Sequence, residues 1–215
     1  MLVKDQMTPN PVCGHPKMPV TEAQALMQES NFRHLPILDA DNKLVGLITQ
    51  RSLMHAIPDD LDQFGPFVVN YVLAKLQAHN IMVRDVITIG PDTTIEEAAR
   101  IMADNKIGCL PVMQEDELVG IISDNDLFRI MMELLGARRA GVRMTVLQPD
   151  RAGEVARLTR TIDAQGGYVS VFVTYPTSDP GTWASVVKVA NVSEDALVEA
   201  VSSMPDAHIQ DVREV

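Results

Sequence analysis

Two short runs in this chain end an apolar, β-branched segment on a hydroxyl residue and place a second polar group three residues later. They are Gly46-Leu47-Ile48-Thr49-Gln50-Arg51-Ser52 and Gly120-Ile121-Ile122-Ser123-Asp124-Asn125-Asp126. In each, strand-like character gives way to helical periodicity at the hydroxyl, which is where a helix N-cap belongs. The side-chain oxygen of Thr49 or Ser123 can accept from an orphan backbone N–H, and the positive end of the helix dipole makes the same spot attractive to an anion such as phosphate. One helical turn separates Ser123 from Asp126, so a hydroxyl donor and a carboxylate acceptor face one cleft beside backbone N–H groups. The first run differs: Ser52 stands where the acid would be, and Arg51 adds a cation that can meet a phosphate. Ser-x-x-Asp is also the pattern of a capping box that closes a helix end with no ligand at all, and the two uses are compatible.

The elements that would position these groups also occur twice. His34-Leu35-Pro36-Ile37 with Leu44-Val45, and Cys109-Leu110-Pro111-Val112 with Leu118-Val119, each read as the two arms of a hairpin around a polar turn. Met27 and Met102, like His34 and Cys109, lie 75 residues apart; Gly46 and Gly120 lie 74 apart, as if the second turn were one residue shorter. Thr21 with Gln24 predicts a capped short helix carrying Ala23, Leu26, Met27 and Phe32, and Thr93 with Glu96 predicts its counterpart carrying Ile95, Ala98, Ala99, Ile101 and Met102. The second copy opens at Val83-Arg84-Asp85-Val86-Ile87-Thr88, an echo of Val3-Lys4-Asp5-Gln6-Met7-Thr8. Pro9, Pro11, Pro16 and Pro19 force extended backbone over residues 1–20. Residues 54–81 break the pattern with Pro58, the acidic Asp59-Asp60-Leu61-Asp62 and Gly65-Pro66, then resume through Val68, Val72, Leu73 and Leu76, which reads as an insertion carrying a helix.

After a helix from Leu127 to Leu135, Gly136 and the basic segment to Gly141 read as a C-cap and a domain boundary. Beyond it the pattern gives a strand from Val142 to Leu147, a helix from Arg151 to Gln165 closed by Gly166-Gly167, and a strand from Tyr168 to Tyr175. A strand from Trp183 to Val189, a helix capped by Ser193 and a strand from His208 to Val212 complete a β-α-β-β-α-β, ferredoxin-like order.

Composition narrows the classes. With 215 residues and 46% hydrophobic content the chain has material for packed cores, and a net charge of −11 repels nucleic acid and acidic membrane surfaces. Two cysteines and five histidines make neither a disulfide framework nor a paired metal spacing; Cys13 with His15 is an isolated near-pair, and no metal is expected. No apolar run approaches the ~20 residues needed to span a bilayer, and no signal peptide is visible, so a cytoplasmic protein is expected. Gly136 and Gly141 have a P-loop's spacing, but Val142-Arg143 replaces the required Lys-Ser/Thr. With no nucleophile elbow, acid–base pair or dinucleotide fingerprint, no catalytic residue is assigned.

The repeated unit resembles the cystathionine-β-synthase (CBS) domain through the segments ending in Thr49 and Asp126, over about residues 1–136. The tail resembles an ACT domain through Arg143-Met144-Thr145-Val146, Pro149-Asp150-Arg151-Ala152-Gly153 and the Gly166-Gly167 step. The combined order is similar to bacterial acetoin-utilisation proteins that join a CBS pair to an ACT domain. The resemblance implies an α/β (α+β) chain: a first CBS domain over 1–80, a second over 81–138 and an ACT-like domain over 139–215. It further implies an adenine nucleotide (AMP or ATP) or related adenosyl ligand as regulatory effector, with no required cofactor. Ser123 would contact phosphate and Asp126 ribose, with Asn125 between them, and Thr49, Arg51 and Ser52 would be their counterparts. The walls would come from Thr8, Pro9 and Val12 with His34, Leu35 and Pro36 in the first copy, and from Thr88 and Ile89 with Cys109, Leu110 and Pro111 in the second. His34 is equally a satisfied buried histidine, and Cys109 most simply a small hydrophobe. In ACT domains the turn at Asp150 to Gly153 lines an amino-acid pocket at a subunit interface; Asp150 is equally an N-cap. The expected protein is a non-catalytic homodimeric sensor acting on an unknown target enzyme; the rivals are an enzyme or enzyme subunit of acetoin or acyl metabolism and a purely structural dimeriser.

Overall fold

The apolar alternation on either side of each polar turn forms a hairpin, twice. The computed structural model describes residues 1–56 and 75–215, divided into two units, Met1–Leu127 and Phe128–Val215. The stretch expected to carry an insertion helix through Val68, Val72 and Leu73 lies outside the described residues. In the first unit a short strand β1 (Thr8–Pro9) precedes helix α1 (Val20–Glu29), hairpin strands β2 (His34–Leu38) and β3 (Leu44–Thr49) and helix α2 (Gln50–His55). Then come α3 (Ala78–Ile81), α4 (Ile95–Asn105), hairpin strands β4 (Cys109–Gln114) and β5 (Glu117–Ser123), and α5 (Asp124–Leu134), which runs into the second unit.

The two copies are related pair by pair. Ile37 faces Gly46 and Val112 faces Gly120, with a bulge after Ile37 in one hairpin and after Val112 in the other. Each copy's opening segment lies first on the other copy's hairpin and then on its own: Thr8 pairs with Ile121 and Val83 with Leu47, while Gly14 pairs with Ile37 and Ile89 with Val112. Leu2 with Thr94 and Gln77 with Pro19 complete the exchange. This register corrects the sequence echo: the counterpart of Thr8 is Val83, not Thr88, because backbone pairing follows the 75-residue spacing of the hairpins. The exchange also explains the two strand glycines. A Cβ on Gly120 would run into Met7, and one on Gly46 into Met82. Leu35, Ile37 and Ile48 in one copy and Leu110 and Ile122 in the other are fully buried.

Helix α1 is capped by Pro19 without a side-chain bond, so Thr21 lies inside its first turn; α4 is capped by Thr94, whose hydroxyl accepts from Glu97 N, one residue beyond the expected Thr93 and Glu96. Both helices end on a left-handed residue, Asn31 (φ 53°) after α1 and Lys106 (φ 55°) after α4.

In the second unit, β6 (Val142–Pro149), α6 (Glu154–Asp163), β7 (Tyr168–Pro176), β8 (Thr182–Ala190), α7 (Glu194–Ser202) and β9 (His208–Glu214) follow the expected β-α-β-β-α-β order. The sheet order is β7-β8-β6-β9 with every neighbour antiparallel, the ferredoxin-like arrangement. One sheet face packs Met144, Val146, Val187 and Val189 against Leu158 and Ile162 of α6 and Leu197 and Val201 of α7. Helix α6 begins at Glu154 rather than Arg151: its N-cap is Gly153 at φ 96°, a conformation that favours glycine, so Asp150 is not the cap. Gly136 (φ 59°) ends α5 as expected, and the buried Lys188 ammonium donates to Gly136 O (2.7 Å) and Arg139 O (2.8 Å).

Candidate ligand-binding clefts

The strand-to-helix junctions after β3 and β5 build the same small device. Thr49 Oγ1 accepts from Ser52 N (3.0 Å), and Thr49 N donates to Ser52 Oγ (3.2 Å). Ser123 N and Ser123 Oγ donate to Asp126 Oδ2 (2.9 and 2.7 Å), and Asp126 N reaches Ser123 Oγ at 3.4 Å. Both are reciprocal capping boxes, so the structural use of Ser-x-x-Asp is realised. Each box also stands at the edge of a cavity. One, of about 430 Å³, is lined by Thr49, Gln50 and Arg51 with Leu47, Val83, Asp85, Val86, Ile87, Lys106, Ile107, Gly108 and Cys109. The other, of about 300 Å³, is lined by Ser123, Asn125 and Asp126 with Thr8, Asn10, Pro11, Val12, Asn31, Phe32, Arg33, His34 and Ile121. Both volumes suit a small-molecule ligand.

Every lining residue of the second cavity has its counterpart, 74 or 75 positions away, on the first, with one exception. Ser52, the counterpart of Asp126, does not line the first cavity. The walls are therefore crossed relative to the sequence expectation. Thr8, Val12 and His34 close the cleft of Ser123 and Asp126, and Cys109 closes the cleft of Thr49 and Arg51, because β1 pairs with β5 and Val83 with Leu47. His34 also lines the first cavity, with Arg33 and Asp124. Leu35, Pro36, Leu110 and Pro111 are buried in the hairpin strands, both faces of which are covered at these positions, and line neither cavity; Thr88 is exposed and lines neither cavity.

The family that matches this architecture is the CBS domain, over residues 3–59 and 78–133. The chain belongs to the CBS-domain family. Among solved structures, the CBS pair of this chain is similar to a Vibrio cholerae protein named for acetoin utilization (AcuB), at 33% identity and a TM-score of 0.53 over 64% of this chain and 95% of that one. It is also similar to the CBS domain pair of protein MJ0100, solved with 5′-methylthioadenosine and S-adenosyl-L-methionine, at 28% identity and a TM-score of 0.53 over 65% of this chain and 98% of that one. An inosine-5′-monophosphate dehydrogenase from Korarchaeum cryptofilum is 33% identical over 148 residues, 66% of this chain and 28% of that enzyme. An L-aspartate semialdehyde sulfurtransferase from Methanocaldococcus jannaschii is 30% identical over 130 residues, 60% of this chain and 23% of that enzyme. The chain thus spans about a quarter of the length of these curated relatives.

Within the CBS pair, the sequence pattern pointed to Arg51 and Asp126 but not to several other groups on the cavity walls. Lys106, Asp85 and Asp124 line the first cavity, Phe32, Asn31 and Asn10 the second, and Arg33 both. Alignment of the copies at 75 residues relates these positions to one another, but only the tertiary pairing places them on cavity walls. Arg33 Nη2 donates to Asp124 Oδ1 (2.5 Å) between two half-exposed side chains. Burial and the neighbouring Arg33 hold the His34 pKa below the usual histidine range, against the opposing pull of Asp124, so the ring is neutral near pH 7. Burial, helped by Asp124, pushes the Cys109 thiol up to about 12, which makes it a packing group rather than a nucleophile.

Among the described residues no cluster of three His, Cys, Asp or Glu could hold a metal, and no helix is long and apolar enough to cross a membrane. In the second unit, Gly153 borders a shallow surface depression with Arg157 and Arg160, whereas Asp150 is exposed and off its rim.

Proposed function

We propose that this chain is a non-catalytic regulatory sensor that binds an adenine nucleotide or related adenosyl compound in the two clefts of its CBS pair. The observation that carries this reading is the Ser123–Asp126 pair at the edge of a cavity of about 300 Å³, with Phe32 and Arg33 on its walls. A carboxylate accepts from two sugar hydroxyls, the Ser123 hydroxyl and the helix N-terminus favour an anion, and an aromatic ring suits a purine face. The adenosyl ligands of the MJ0100 pair support the same ligand class here. The clefts are unequal: Asp126 makes the second the tighter site for ribose, and Arg51 and Lys106 make the first more tolerant of phosphates.

In this reading residues 1–80 and 81–138 are the two CBS domains, and 139–215 form an ACT-like domain that supplies a second input, with amino-acid binding near Asp150 and Gly153 the finer possibility to test. The assembly is a homodimer. Its support is the exposed stripe Phe128, Met131, Met132 and Leu135 at helical spacing, of a kind that marks association surfaces. Light scattering at micromolar concentration reads this directly, since a 23.6 kDa particle would contradict it.

The deciding experiment for function is a thermal-shift screen of AMP, ATP, NAD and S-adenosylmethionine against the purified protein. A ligand at 100 times its dissociation constant stabilises by about 2.7 kcal/mol, which is a readable upward shift in Tm. No shift with any adenosyl compound would overturn the reading.

A further inference from the structure

The two cavities differ most sharply in charge at three matched positions. Where the first is lined by Asp85, Arg51 and Lys106, the second is lined by Asn10, Asn125 and Asn31. All six residues are exposed, so they stand where each cavity opens to solvent. In the first cavity Asp124 and Arg33 offset each other in an ion pair, while the side chains of Asp85, Arg51 and Lys106 make no ion pair or hydrogen bond among the described residues. The open charges at that mouth are therefore two cations and one carboxylate, and the same places at the other mouth hold three amides. The backbone at position 106 points the same way. Lys106 (φ 55°) and Asn31 (φ 53°) both take the left-handed conformation after a helix, which suits asparagine better than lysine. The first copy has the residue that this backbone favours; the second has a cation in spite of it.

We propose that the mouth of the first cleft is a receptor for a zwitterionic tail, with Asp85 as the specificity residue that takes its cationic end while Arg51 and Lys106 take its anionic end. The proposal rests on the reading of the clefts as adenosyl sites, and it names the ligand class of the first: an adenosyl compound whose 5′ side carries an α-amino acid. A carboxylate accepts from an ammonium, and a guanidinium or an ammonium donates to a carboxylate, in charge-assisted hydrogen bonds. A phosphate on the same ribose gains from the two cations but meets Asp85 as a like charge. It is tolerated because of Arg51 and Lys106, and not preferred because of Asp85; the repulsive group does as much for selection as the attractive ones. The asparagines of the second mouth carry no charge to select with, so that cleft ranks its ligands by ribose and base. Because the first mouth is open to solvent, each contact is screened and the discrimination is moderate.

Calorimetry with S-adenosylhomocysteine, AMP and adenosine on the full chain tests this. Asp126→Ala serves as the reference protein, so that the Thr49 cleft gives the remaining signal, and each affinity is read as a ratio to adenosine in the same variant. In the reference protein S-adenosylhomocysteine should bind about tenfold tighter than adenosine, a factor worth about 1.4 kcal/mol. Adding Asp85→Asn should remove most of that advantage and at the same time strengthen AMP against adenosine. Opposite movement of two ligands is a signature that a general disturbance of the cleft does not produce. Adding Lys106→Asn should instead weaken both ligands against adenosine. If Asp85→Asn leaves the two ratios unchanged, or moves them in the same direction, while adenosine binds, the inference fails and the cleft reading stands. The inference fails in the same way if the reference protein binds none of the three although the wild type binds adenosine. If the wild type binds no adenosyl compound, the cleft reading fails and takes this one with it.

Discussion

The two clefts of the CBS pair share a frame and differ in chemistry. Their backbones superpose by bookkeeping alone: Thr8 on Ile121 repeats as Val83 on Leu47, and Met7 against Gly120 repeats as Met82 against Gly46. Their side chains have diverged. The cleft closed by Ser123 has Asp126, Phe32, Asn10 and Asn31, and the cleft closed by Thr49 has Ser52 nearby but off its wall, with Ile107, Asp85 and Lys106 at the other counterpart positions. The two copies thus keep in common what packs and pairs, and differ in what faces the cavity. Frame substitutions should therefore behave alike in the two copies, and cleft substitutions should not.

The largest expected effect tests the frame. Leu35→Ala and Leu110→Ala each remove a fully buried side chain from a hairpin core and should each cost about 2–5 kcal/mol, close to equal, in chemical denaturation of the first unit. A cost several kcal/mol apart would break the equivalence of the copies. Next comes the cleft itself. Asp126→Ala should remove the tighter phase of adenosine binding, weakening it by about 10- to 100-fold, since charge-assisted hydrogen bonds are worth about 1.5–3 kcal/mol. If nucleoside binding is untouched, the assignment of this cleft is wrong.

Ser52→Asp sharpens the comparison from the other side by restoring the missing acid. Calorimetry should show the weak phase strengthened, by less than Asp126→Ala weakens the tight one, because Ser52 stands off the cavity wall as its counterpart does not. Its failure to move the weak phase would mean that the first cleft does not take ribose in the same way.

The smallest effect is the pH response of His34, which Cys109 replaces in the other copy. Its pKa is depressed in the folded protein by burial and by Arg33, with Asp124 opposing. Below the unfolded value of 6.5 the unfolded chain takes a proton that the folded chain resists, so stability from this group is complete above that pH and is lost as the pH falls through it. Denaturation at about pH 7.5 and about pH 5.5 should show a smaller loss in His34→Gln than in wild type. An equal loss would assign the acid sensitivity to other groups.

Much of the fold was legible because local signals agreed with one another. The hairpins announced themselves by apolar arms and a turn, and the order of the second unit by strand alternation and the glycines at 136 and 166–167. What misled was a local likeness in place of a global one. Val83-Arg84-Asp85 echoes Val3-Lys4-Asp5 in composition, but the pairing register aligns Val3 with Ala78 and Thr8 with Val83. The crossing of the walls was not legible at all, since no local pattern says that an extended segment will lie on the other copy's hairpin. Arg33 and Lys106 escaped for a related reason. Each sits in a polar connection just after a helix, where a charge normally faces water, and only tertiary pairing turns it toward a cavity.

We propose that the cleft of Ser123 and Asp126 is the principal ribose-binding site. A crystal structure of the full chain with adenosine at one equivalent tests it most directly. Ligand density is expected in that cleft, with the ribose hydroxyls on the Asp126 carboxylate and the base beside Phe32, and the Thr49 cleft empty or weakly filled. Adenosine found in the Thr49 cleft alone, or bound away from both clefts, would contradict it.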